Sequence, residues 1–160
     1  MKAETPHATK GGGEGVKRSS IKLDEKDITI LVLLKEDSRK SVRDIAKKTG
    51  IRPSTVHLRI QRMVKEGVIE KFTLKLNNKA VGENFIVFML VKSIEKINEN
   101  EFKKDCVKEV FGITGEHDLL MKLKFSDIED FNDYLIKFRE RNKVGVTVTM
   151  VSTITIKEEL

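Results

Sequence analysis

Apolar residues recur along this chain with two different periods, and the change of period divides it. From Ile28 to Val64 the spacing is helical. Ile28, Leu31, Val32 and Leu34 fall on one side of a first helix that Asp24 can cap. Ser41 can cap a second helix, with Val42, Ile45 and Ala46 turned inward and Gly50 closing it. Pro53 and Ser54 open a third, which carries Val56, Ile60, Met63 and Val64 and ends at Gly67. Residues 68–76 alternate loosely through Ile69, Phe72, Leu74 and Leu76 and predict a β-hairpin or an extended connector. Asn77-Asn78 is a turn signal that marks a boundary.

Beyond that boundary the rhythm changes. Residues 85–91 read as a strand, and 95–109 as an amphipathic helix built on Ile97, Phe102 and Cys106. Two strands follow at 111–116 and 119–125. Ser126 can cap a helix carrying Ile128, Phe131, Tyr134, Leu135 and Phe138, and 144–156 predicts a long last strand rich in Val, Thr and Ile. The order βαββαβ is the ferredoxin-like arrangement. The fold class expected is therefore α+β, an N-terminal helix-turn-helix followed by a C-terminal βαββαβ domain. One face of such a sheet lies open and needs a cover, which a second copy of the chain would supply most simply. The expected division is a disordered tail at 1–20, a helix-turn-helix domain at 21–68, a hinge strand or linker at 69–83 and an oligomerising domain at 84–160. Gly11-Gly12-Gly13 and the lack of periodicity carry the first of these readings.

Charge sharpens the division. The net +6 of the chain is unevenly spread. Residues 21–76 hold fourteen basic and eight acidic side chains, whereas 77–160 hold thirteen basic and fifteen acidic. A polyanion-binding module joined to a neutral one shows this asymmetry, although a Lys-rich thermophile surface also raises pI. The single Cys106 excludes an intramolecular disulfide and a cysteine zinc site, and suits a reducing cytoplasm. No apolar run reaches the ~20 residues of a membrane span, and no signal-peptide core is apparent at the N-terminus. No Ser/His/Asp, Cys/His or metal-ligand constellation stands at usable spacing, so the reading is a non-enzyme with no cofactor.

The third helix concentrates the chemistry. Between residues 52 and 65 the charged residues are Arg52, Arg59, Arg62 and Lys65, with no acid before Glu66. Ser54, Thr55, His57, Leu58 and Arg62 are left outside once the apolar positions turn inward. Short hydroxyls at a helix start reach phosphates or base edges beside free backbone N–H groups. Arginine bridges to phosphate or binds guanine through two hydrogen bonds. Ala46, Gly50 and Val56 have the sizes and offsets that let two helices cross steeply through a short turn. These residues predict a double-stranded DNA partner contacted by Arg52, Ser54, Thr55, His57, Leu58, Arg59, Arg62 and Lys65.

The run Leu23-Asp24-Glu25-Lys26-Asp27, Ile45-Ala46, Gly50-Ile51-Arg52-Pro53-Ser54-Thr55-Val56, Arg59-Ile60, Met63 and Gly67-Val68-Ile69 resembles the Lrp/AsnC, or feast/famine, transcription regulators. In the second half Val110-Phe111-Gly112-Ile113-Thr114-Gly115-Glu116-His117-Asp118 and Gly145-Val146 resemble the same family, so the likeness spans about residues 21–157. It implies a winged-type helix-turn-helix, a hinge strand near 69–76, a βαββαβ effector domain, and assembly as homodimers or larger homo-oligomers. It also implies an amino acid or similar small effector held at the loop matching Gly115, Glu116, His117 and Asp118. Gly115 would leave N–H groups open for a ligand carboxylate, and Glu116 and Asp118 would face an ammonium group. A tight polar hairpin turn explains the same residues. Leu58 departs from the polar or charged residue common at its position, and residues 152–160 do not align in a clear register with the family, so no effector contact is carried over from the last strand. Two alternatives share the layout: a tetrapyrrole (sirohaem) decarboxylase of AsnC type, and a DNA-wrapping architectural protein.

Overall fold

The computed structural model of the protein describes residues 22–159; the tail expected at 1–20 lies outside them. The chain divides into two compact units between Thr73 and Leu74. The first is three helices, α1 Glu25–Glu36, α2 Val42–Thr49 and α3 Pro53–Lys65. Their ends follow local chemistry. Asp24 accepts from the Asp27 backbone N–H, and the Asp27 side chain accepts from the Asp24 N–H, a reciprocal capping box. Ser41 accepts from the Asp44 N–H at the start of α2. Gly50, at φ +70°, ends α2 in the left-handed region that a Cβ disfavours. Pro53 fits the first turn of α3, where its missing N–H has no partner to lose.

The core of this unit gathers Ile30, Leu33, Ile45, Ala46, Val56 and Met63. The inward face of α1 differs from the expectation. Asp27, Ile30 and Leu33 are buried, while Ile28 and Val32 face solvent. The run from Ile28 to Leu34 is so nearly all apolar that spacing alone does not fix its phase; the buried Asp27 does. Val64 on α3 is likewise exposed. After α3 the Val68 and Ile69 N–H groups both bond to the Met63 carbonyl. Residues 70–77 have no regular secondary structure, so the expected hairpin is absent among the described residues and the hinge segment has no strand partner.

The second unit is a four-stranded antiparallel sheet, β1 Phe85–Ser93, β2 Val107–Gly112, β3 Leu119–Phe125 and β4 Val144–Val151, with α4 Ile128–Arg141 on one face. The strand order is β2-β3-β1-β4, the ferredoxin-like order expected from the sequence. Val87, Met89, Val91, Met121, Leu123 and Phe125 meet Phe131, Tyr134 and Phe138 of α4. The aromatic rings interlock: Phe125 lies 5.5 Å from Phe131 and 5.4 Å from Tyr134, and Tyr134 lies 5.8 Å from Phe138. Asp127 rather than Ser126 caps α4, accepting from the Glu129 and Asp130 N–H groups.

The helix expected at 95–109 is absent. A single 3-10 turn, Glu99–Lys103, takes its place, and β2 begins earlier than expected, at Val107. Asn98 explains the break. Its side chain accepts from the Asn100 N–H and its own N–H donates to the Asn142 side chain, offering the backbone an alternative to a helical ladder. Ile97, Phe102 and Cys106 still pack on the core, from irregular backbone. The last strand also stops at Val151, short of 156.

Candidate nucleic-acid interface

α3 presents two different surfaces. Val56 and Met63 seat it in the core, while Arg52, Ser54, His57, Leu58, Arg62 and Lys65 are exposed and Thr55 is half-buried. Leu58 is 64% exposed and belongs to the outer face, so it does not complete the core. The first turn carries no acid and its cap, Arg52, makes no side-chain capping bond. Pro53 has no N–H, and those of Thr55 and Val56 bond to the Arg52 carbonyl, so the first turn leaves the Ser54 N–H open beside two hydroxyls, with cations at both ends. That arrangement favours phosphate.

Arg59 and Arg62 are placed differently from the rest. Arg59 donates through Nη1 to Asp24 Oδ2 at 2.7 Å and to Asp27 Oδ1 at 2.8 Å. Arg62 donates through Nη2 to Asp27 Oδ2 at 2.6 Å. Asp27 is completely buried, so its carboxylate spends both oxygens on these two guanidinium groups and on the Asp24 N–H. Asp24, held by the Asp27 N–H and by Arg59, has its carboxyl below the usual range. The clamp fixes the pitch of α3 against α1. Arg62 remains partly exposed, whereas Arg59 is mostly covered. Sequence reading gave Asp24 its cap but missed its bond to Arg59, and missed Asp27, because the arginine partners lie more than thirty residues away. The only local hint was an acid at position 27 at the head of an apolar run.

At the other candidate site, Gly115 has φ +125° in an exposed turn before β3, and Glu116 is exposed. His117 and Asp118 are half-buried. Asp118 is engaged internally: its Oδ2 accepts from the Ser93 N–H at 2.8 Å and the Ser93 hydroxyl at 3.0 Å. These donors, with Lys92 nearby, hold its carboxyl below the usual range. They also pin the register shift of β1 between Lys92 and Ser93. Of the two acids expected at this loop, Asp118 is bonded to Ser93 with its side chain still 41% exposed, and Glu116 is exposed.

Among the described residues no group of His, Cys, Asp or Glu could hold a metal ion, and no helix is long and apolar enough to cross a membrane.

Comparison with known proteins covers both halves. Residues 23–70 match the family model for a winged helix-turn-helix DNA-binding domain, and 87–160 that of the Lrp/AsnC ligand binding domain. An HTH-type transcriptional regulator of Pyrococcus horikoshii is 40% identical over 146 residues, covering 86% of this chain and 97% of that protein. The HTH-type regulator FL11 of Pyrococcus abyssi is 33% identical over 142 residues, covering 86% and 94%. In three dimensions the chain is similar to an AsnC family regulator of Agrobacterium tumefaciens, with a TM-score of 0.81, 24% identity and coverage of 86% and 94%. It is similar also to the regulator NMB0573 of Neisseria meningitidis in its L-Met complex, with a TM-score of 0.78, 23% identity and coverage of 86% and 94%. With both halves matched in order, and with relatives 33–40% identical over nearly their whole length, the chain belongs to the Lrp/AsnC family of DNA-binding transcriptional regulators.

Proposed function

We propose that this regulator reads a specific operator as a homodimer, in the cytoplasm, and answers to a small effector such as an amino acid. The observation that carries the DNA reading is the outer face of α3, where Arg52, Ser54, Thr55, His57, Leu58, Arg62 and Lys65 converge without an intervening acid. Ser54 and Thr55 approach phosphate or base edges at the helix start, and Leu58 meets a thymine methyl. Arg59 does not touch DNA in this scheme; it positions the helix through Asp24 and Asp27. Arg62 keeps donors free for a phosphate. This face favours a regulator over a tetrapyrrole decarboxylase.

Dimer formation is supported by the uncovered side of the sheet. Phe111, Val146, Val148 and Met150 are exposed there, side by side with Phe88, Leu90 and Leu120. The effector reading is supported by the family's ligand-binding domain and by the L-Met complex of the Neisseria relative. In the loop Gly115–Asp118 the ammonium partner is Glu116, since Asp118 is already satisfied. His117 borders the same turn.

Titrating affinity against salt on a duplex selected from a random pool tests the DNA assignment. Each phosphate neutralised contributes a slope of about −0.9 to log K against log salt. Arg62→Met and Lys65→Met each flatten the slope by about one, while Arg59→Met leaves it unchanged and lowers thermal stability instead. An Arg59 variant with a flatter slope would sink the positioning role. Equal affinity for all duplexes would instead favour the architectural alternative.

A further inference from the structure

The densest charge cluster of the second unit lies away from the effector loop, at the far end of β3. Lys122 and Lys124 project from the same side of that strand, the side opposite α4, and both are largely shielded from solvent. Two neighbouring ammonium groups with so little water need an anion between them. Glu158 provides it. Its Oε1 takes Lys122 at 2.7 Å and Lys124 at 2.9 Å. Its Oε2 accepts from Lys75 and, at 3.2 Å, from the Asn78 amide. Asn78 also accepts from Lys124 at 2.8 Å. Burial by itself would raise the Glu158 carboxyl; the hydrogen bonds from Lys122, Lys75, Lys124 and Asn78 outweigh it and hold the group well below the usual range. Glu109 is the one further acid, on Lys122 at 2.9 Å. Three cations therefore face two carboxylates.

The segment that delivers Glu158 is weakly attached by other means. After β4 ends at Val151 it has no regular secondary structure, and Ile154 and Ile156 are 73% and 92% exposed. A strand end that belonged to the core would bury such residues. Beyond Ser152, whose N–H bonds to the Ile86 carbonyl, the Glu158 carboxylate is the segment's main tie to the sheet.

We infer that Lys75, Asn78, Lys122 and Lys124 form a binding site for the oxyanion group of a small molecule, a carboxylate or a phosphate, which the chain's own Glu158 fills as an internal competitor. Either group offers the same fork of oxygens, one to the two β3 lysines and one to Lys75 and Asn78. Lys75 and Asn78 lie in the stretch just after the division at Thr73. An incoming oxyanion thus trades the chain segment after β4 for a ligand while keeping the connector tied to the sheet. The site stands apart from the loop Gly115–Asp118 and from the DNA reading; it shares the sheet face of the proposed dimer contact, at the end of β3 where Lys122 and Lys124 lie opposite Phe88 and Ile86.

Calorimetric titration of the full chain with glutarate and with inorganic phosphate, at fixed ionic strength, tests this. Because Glu158 lowers the fraction of open sites, Glu158→Gln should bind one of these probes about tenfold or more tightly than the unaltered protein. Adding Lys75→Met should remove that gain. Which probe binds tells a carboxylate ligand from a phosphate one. A chain ending at Lys157 repeats the measurement without any residue 158. In the unaltered protein, the binding probe should raise amide exchange across residues 152–159. Equal affinities with and without Glu158, a gain that survives Lys75→Met, or unchanged exchange would each overturn the assignment.

Discussion

In the C-terminal unit ten buried residues close the core, four of them aromatic, and the sheet and α4 share them. Among the described residues of the N-terminal unit the buried apolar set is six, with no aromatic ring, and the centre is completed by Asp27 and its two arginines. One unit is held by area, the other by a smaller area and a charge cluster that fails if one partner goes. The contrast suits their tasks. Helices that must present a fixed face to DNA gain from directional bonds that set pitch, whereas a sheet proposed to pack on a second copy gains from non-directional burial.

Replacing the largest members on each side tests the contrast most severely. Phe138→Ala, at a fully buried position, should cost ~3–5 kcal/mol. Arg59→Met with Arg62→Met leaves the buried Asp27 without a countercharge, with the Asp24 N–H as its remaining donor, and should cost ~3–5 kcal/mol as well. Residue-resolved amide exchange would assign each loss. The contrast holds if Phe138→Ala weakens protection in the sheet and the double variant weakens it in α1–α3. Adding Asp27→Leu to the double variant should restore most of the loss, because an apolar trio has no charge to strand. No comparable rescue exists for Phe138→Ala short of refilling the cavity.

A smaller effect belongs to the turn before α3. Gly50→Ala places a Cβ at φ +70°, where nothing crowds it, so the cost is conformational. It should amount to ~1–2 kcal/mol by chemical denaturation. A neutral result would mean that the turn relaxes, and DNA affinity should then fall with it.

The smallest effect concerns Asp118. Its carboxyl is depressed by Ser93, so the pairing adds stability at pH above the unfolded value of ~3.9 and loses it as pH falls through the lower folded value. Ser93→Ala removes the hydroxyl and leaves the backbone donor. By carbon-13 titration the Asp118 midpoint should move part of the way back toward ~3.9. A midpoint that does not move would assign the whole depression to the backbone N–H and Lys92.

What the sequence revealed and what it hid divide along the same physical line. Asp24, Ser41, Gly50 and Pro53 act on neighbours within four residues, so those helix ends were readable, whereas the cap of α4 is Asp127 and not the expected Ser126. The outer face of α3 was readable because Val56 and Met63 fix its phase. The 3-10 turn was not, since Ile97, Phe102 and Cys106 reach the core from either backbone, and Asn98 decided between them. The clamp on Asp27 and the cradle around Glu158 were invisible for a different reason. Their partners come together only when distant segments pack: spacing sets Arg59 three residues after Val56 and four before Met63, toward the core side of α3, but does not name the acids it meets.

The exposed Phe72, Leu74 and Leu76, together with the uncovered sheet face, have a consequence for abundance. If the proposed homodimer covers this surface, association stabilises the chain by mass action, and its melting temperature should climb as the protein is concentrated and drop on dilution. The number of copies in the cell then sets the fraction able to occupy an operator, before any small molecule is sensed. Synthesis and dilution by growth become inputs in their own right.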